Sequence, residues 1–347
     1  MKKIFQSSQW KRHSRRISER ELRHKQKIAL YKKLRNRRLF VKYGKESVRI
    51  FRSVKPQKQH NKIEINVPSS FSIVTNPEEM LEFYNAIYYY ASKDQAIYLE
   101  MSDIMHISAD AILYTISLFD HLEHKFRFGK LSGSFPKNER IKNVLLESSF
   151  FNYIHANFPY NPDNSKILSV KSGRNAEGKI AKQVMDFSTG ILKQNKTSQS
   201  KSIYGTIIEC MVNTKHHAYH DLDHKWKWWL MALPNEDNNK IQFAFLDNGA
   251  GIPTTVKKNF TEKVNRLFGS NSPDCNLIHS ALLGHYRTRM KDKWRGKGLP
   301  KIYSYFNSNY IENLHIVSNH GYVDCKKDLV KEMNDKFHGT LLSWDFV

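Results

Sequence analysis

The apolar run Ile241-Gln242-Phe243-Ala244-Phe245-Leu246 reads as a buried strand, and it delivers Asp247 straight into the turn Asp247-Asn248-Gly249-Ala250-Gly251. This junction constrains the fold more than any other stretch. A carboxylate must sit at the tip of an interior strand, and the chain must leave it through bare glycine backbone. An acid so placed, with two glycines two residues apart behind it, suits a purine base held against the main chain. The pattern D-x-G-x-G is common by itself, and its meaning depends on its company.

A chain of 347 residues is long enough for two compact domains, and a hydrophobic content of 40% argues for folded structure. The formal charge of +23 is unevenly distributed. Residues 1–62 hold 22 Lys and Arg against 3 acids, which leaves only +4 for the remainder. The basicity therefore belongs to an arm. Cys210, Cys275 and Cys325 show no C-x-x-C spacing, which fits reduced thiols in a cytoplasmic protein. The first residues lack the apolar core of a signal peptide, and no apolar stretch approaches the length of a membrane span.

Three regions are expected: a basic arm and linker at 1–62, an α/β domain at 63–156, and a second α/β domain at 157–347. In the first domain the patterning predicts strands at 63–67, 96–101 and 126–131, and helices at 77–91, 109–123 and 138–153. In the second it predicts a strand at 165–172, helices at 177–192 and 202–220 around a polar break, and a hairpin of 226–233 with 241–246. A loop-rich stretch from 251 to about 295, a helix from Leu299, and strands at 313–317 and 340–346 complete the reading.

Four motifs follow in order. Glu209 and Asn213 stand at i and i+4, on one face of the helix at 202–220. Asp247, Gly249 and Gly251 form the strand-end turn. Arg295-Gly296-Lys297-Gly298-Leu299 opens a helix whose first N–H groups point outward, as phosphate sites require. Gly339-Thr340 begins the last strand. This order resembles the GHKL ATP-binding domain of DNA gyrase, Hsp90, MutL and the histidine kinases, over about 165–347. The resemblance implies a Bergerat-type α/β sandwich, a mixed sheet covered by helices, that binds ATP with Mg²⁺. It also implies roles. Asp247 accepts a hydrogen bond from the adenine amino group, with Thr340 supporting that edge. Asn213 coordinates Mg²⁺, and Glu209 is the general base for water. Gly249, Gly251, Gly296 and Gly298 bound a lid, Lys297, Arg295 and the basic run 287–293 screen phosphate charge as it closes, and Leu299 completes the nucleotide-binding set. His216 stands where hydrolysing relatives often carry an acid. The sequence also stops just after its last expected strand, so no transducer lysine is expected within it.

Residues 98–112 (Tyr98-Leu99-Glu100-Met101-Ser102-Asp103 leading to Ser108-Ala109-Asp110) resemble the strand-to-helix turn of STAS domains, with Ala109 at the phosphosite position. The cluster His216, His217, His220, Asp221, Asp223 and His224 reads either as a transition-metal site or as a polar pocket rim. In the arm, Lys11, Arg12, Arg15, Arg16, Lys32, Lys33, Arg35, Arg37 and Arg38 favour DNA or RNA as partner; an acidic membrane surface and an acidic protein are the alternatives. The expected function is a cytoplasmic GHKL-type ATPase coupling nucleotide state to a protein or nucleic-acid partner, with dimerisation implied by the family. An anti-sigma-type serine/threonine kinase and a non-hydrolysing ATP-binding module of a defence or regulatory complex are the alternatives.

Overall fold

The computed structural model describes residues 62–148, 150–152, 167–193, 198–217, 227–235, 238–269, 272–286 and 298–346. These residues fall into one compact α/β unit. The arm and its basic residues, Lys11 through Arg38, lie outside them.

The first segment carries β1 (Ile63–Asn66), β2 (Ser70–Phe71), α1 (Pro77–Ser92), β3 (Ile97–Glu100), β4 (His106–Ile107), α2 (Ala109–Phe126), β5 (Leu131–Gly133) and α3 (Glu139–Glu147). Strands β1, β3 and β5 form a parallel sheet in that order, and β2 pairs with β4. Helix α1 starts well because Pro77 needs no partner for a missing N–H, and Glu78 and Glu79 face the positive helix end. Helix α2 overruns its expected end. Phe126 continues the apolar stripe one turn beyond Leu122, and Arg127 closes the helix in a left-handed conformation at φ 51°. The strand expected at 126–131 therefore begins only at Leu131. Helix α3 is likewise shorter than expected, giving way to a tight turn at Phe150–Asn152.

The second segment carries β6 (Leu168–Gly173), α4 (Gly178–Ile191), α5 (Ser198–His217), β7 (Trp228–Asn235), β8 (Lys240–Asp247), α6 (Ile252–Asn259), α7 (Thr261–Phe268), α8 (Asp274–Leu282), α9 (Gly298–Asn307), β9 (Glu312–Asp324) and β10 (Leu329–Phe346). The sheet order is β6-β7-β8-β10-β9, and every pair is antiparallel rather than mixed. Two further expectations fail. The supposed loop after Gly251 contains α6, α7 and α8, short helices whose few apolar residues make a small core of Val256, Val264, Leu277, Ala281 and Tyr286. The last two strands are much longer than expected, because their polar halves pair with each other around bulges between Glu332, Phe337 and Thr340.

The sheet separates two cores. Trp229, Met231, Leu233, Ala244, Leu246, Val317 and Leu341 pack with α1 and α2. The alternating residues Trp228, Leu230, Ala232, Phe243, Phe245, Ile316, Leu342 and Trp344 pack with α4, α5 and α9. Burial on both faces is why β7 and β8 read as nearly continuous apolar runs. The segments 62–152 and 167–346 thus share a core. Gln242, the one polar residue in the run before Asp247, turns to the α2 side, where its side-chain carbonyl accepts the Ala109 N–H at 2.8 Å. It supplies the cap that Ser108, at the N-cap, does not provide.

Among the described residues, no helix is long and apolar enough to cross a membrane.

Candidate functional site

Asp247, at the end of β8, lies beside Thr340 of β10, and Thr340 in turn faces Ser318 of β9. All three side chains fall on the α5 side of the sheet, since they keep step with Phe245, Leu342 and Ile316. They form a polar row at the end of an otherwise apolar wall. The Ser318 hydroxyl accepts the Ile252 N–H at 3.0 Å, donates to the Gly339 carbonyl at 2.9 Å, and stands 3.1 Å from the Thr340 hydroxyl.

The glycines have specific causes. Gly339 has φ 97°, and a side chain there would run into the Asp247 carbonyl oxygen. Only glycine lets β10 lie this close to β8 at the position before Thr340. Gly251 has φ 86°, and a side chain would strike the Asn319 amide and come within 2.8 Å of the Ser318 hydroxyl. The Gly249 N–H donates to Asp247 Oδ1 at 2.8 Å, fixing the carboxylate. Asp247 Oδ2 has no protein partner among the described residues. The protein surrounds this carboxyl closely enough to push its pKa up to about 7, against the lowering effect of the Gly249 N–H.

Helix α5 forms the wall above this floor. Cys210 is buried, and its thiol is raised well above its usual range by burial and by the neighbouring charges of Asp247 and Glu209. It therefore marks where wall and floor meet. Glu209 is paired with Lys301 of α9 at 2.8 Å. Asn213, one turn further, packs against Gly298: a methyl group on Gly298 would lie 2.7 Å from Asn213 Oδ1. The Asn213 amide makes no hydrogen bond among the described residues. Leu299 helps seat the start of α9 against the core.

Asp247, Gly249, Gly251 and Thr340 meet at one end of the β8–β10 pair, while Glu209, Asn213 and Gly298 lie on the contact between α5 and α9; buried Cys210, which feels the charges of both Asp247 and Glu209, links the two groups. Gly296 and Lys297 lie outside the described residues, as do Arg295 and the histidine-rich segment from 218. Among the described residues, no three His, Cys, Asp or Glu side chains converge to hold a metal ion. Sequence reasoning missed Lys301, Ser318 and Asn319. The signal for the last two was a Ser-Asn pair interrupting the apolar alternation of β9; Lys301 left none, because its partner lies on another helix. At the opposite end of the sheet, a cavity of about 290 Å³ opens among His106, Arg140, Lys240 and Asp345, and none of the four motifs lines it.

No protein-family model matches the chain. No curated protein matches it either.

Proposed function

We propose that the chain is a GHKL-type ATP-binding protein and hydrolyses ATP with Mg²⁺, using a Bergerat-type sandwich built from residues 167–346. The observation that carries this reading is the register of Asp247 with Thr340, set by the forced glycine at 339, with Cys210 of α5, the neighbour of Glu209, close enough to feel the Asp247 charge. In this reading a flat base lies against the turn that follows Asp247. Asp247 Oδ2 accepts the exocyclic amino group of adenine, and the Thr340 hydroxyl supports the same edge. Asn213 would offer an unused oxygen to Mg²⁺, and the ion, when bound, would supply charge neutralisation for the phosphates. The first N–H groups of α9 receive phosphate oxygens beside it. Glu209 orients water and takes its proton.

In this reading the segment 62–152 is a STAS-like docking part without a phosphoswitch. Its parallel β1-β3-β5 sheet with α1 and α2 supports the first half; the buried Ser108 hydroxyl, 3.4 Å from the Phe71 carbonyl, supports the second. The basic arm serves as a DNA or RNA tether, and dimerisation and a protein partner accompany the family reading. Binding without turnover is a second reading, favoured by the engagement of Glu209 with Lys301.

Incubation with γ-labelled ATP and Mg²⁺, with and without DNA or RNA, tests these readings. The wild type should release labelled phosphate, Glu209→Ala should bind ATP but release none, and Asp247→Asn should not bind. Label retained as ATP would favour the binding module, and label on protein would favour a kinase. Absence of ATP binding by the wild type rejects the family reading.

A further inference from the structure

Helix α9 runs back along α5 in an antiparallel seam of three levels. Gly205 meets the Tyr305 hydroxyl, Glu209 meets Lys301, and Asn213 meets Gly298. The outer levels are glycine contacts that bring the two backbones together. The middle level holds opposite charges, one helical turn (about 5 Å) from Asn213. The close contacts above and below leave the helices little room to approach further, so the middle level is where side chains can exchange partners. Glu209 is 20% exposed and Lys301 46%, so the ammonium has an open side. Its flexible stem and three donors let it turn to another acceptor. A partly exposed lysine–carboxylate pair is weakly held, and a terminal phosphate carries more negative charge than a carboxylate. The pairing raises the lysine pKa, chiefly through the Glu209 hydrogen bond, so the ammonium stays charged throughout.

We infer that Lys301 senses the terminal phosphate: without it the ammonium rests on Glu209, and a triphosphate beside Asn213 draws it away, leaving the Glu209 carboxylate open to water. Lys301 is thus a positioning residue for Glu209, and this assignment rests on the nucleotide reading above. The rival is a permanent ion pair that only fastens α9 to α5.

Affinities for ADP and for a non-hydrolysable triphosphate, AMP-PNP, both with Mg²⁺, separate the two. Lys301→Met should weaken AMP-PNP binding about tenfold and leave ADP nearly unchanged, the loss of one charge-assisted contact. Lys301→Arg should keep the preference for the triphosphate. Glu209→Gln, which releases the lysine without removing it, should tighten AMP-PNP relative to ADP. Equal weakening of both nucleotides in Lys301→Met, or no change in either, overturns the sensor. If the wild type binds neither nucleotide, the nucleotide reading falls first and this inference with it.

Discussion

Gly339 lies against the carbonyl oxygen of Asp247, in a backbone conformation with φ 97° that has no room for a side chain. This one contact sets the separation of β8 and β10 where the sheet turns from apolar wall to polar floor. It makes Thr340 the neighbour of Asp247, and Ser318 then ties the same corner to the start of α6.

Gly339→Ala should therefore be costly in two ways. The left-handed backbone is strained for alanine, and the methyl group overlaps a main-chain atom that cannot rotate aside. Together these predict a loss of about 2–4 kcal/mol, read as a lowered urea midpoint. An unchanged midpoint would show that β10 can shift away from β8 without cost.

The Asp247 carboxyl is pushed up to about 7 by burial, so the proposed adenine recognition should be pH-dependent. The carboxylate is the better acceptor for an amino group, so affinity should rise as pH rises through 7. Between pH 6 and pH 8 the ionised fraction grows about tenfold, and adenosine affinity should follow it. Adenosine has no phosphate to confuse the titration. The stability sign is opposite. The folded pKa lies above the unfolded value, so ionisation disfavours the fold, and the cost grows from about pH 4 to pH 7. Asp247→Asn should lose adenosine binding across this pH range and should remove the stability dependence. A flat adenosine profile in the wild type would mean that Asp247 does not face the base.

Much of this corner was legible in the sequence because glycine and charge punctuate apolar strands there. The unbroken run from Phe243 to Leu246 marked β8, and Asp247 with its glycines marked the strand end. Lys301 was not legible: its role depends on α9 lying antiparallel to α5, and no local pattern in a helix encodes its partner. The helices between Ile252 and Leu282 were hidden for a different reason. Each is at most nine residues long, too short for apolar periodicity to rise above composition. The polar half of the β9–β10 hairpin was hidden because it is held by main-chain pairing, which leaves little trace in side-chain hydropathy.

Gly205, on α5, carries the other end of the α5–α9 seam, where a methyl group would sit 2.5 Å from the Tyr305 hydroxyl. Alanine gains about 1 kcal/mol over glycine in a helix interior. In Gly205→Ala that gain should be cancelled or exceeded by the clash. In the double variant Gly205→Ala/Tyr305→Phe the 2.5 Å contact is gone while ring carbons remain at 3.1 Å, so the cost of the methyl group should be smaller than in the Tyr305 background. Thermal melts of the four proteins in this cycle measure the coupling directly. Additive effects would place Tyr305 away from α5.

Gln242 and Ser108 meet at the start of α2, where the two segments of the unit join. Gln242→Leu keeps the volume but strips the Ala109 N–H of its acceptor at 2.8 Å, a cap loss worth about 1–2 kcal/mol. Ser108 is 2% exposed, so Ser108→Asp drives a charge into the same interface and should cost more, about 3 kcal/mol or above. Urea titrations of both variants check the order. If Ser108→Asp were tolerated better than Gln242→Leu, the turn would open readily enough to accept a negative group, and the absence of a phosphoswitch at this helix start would have to be abandoned.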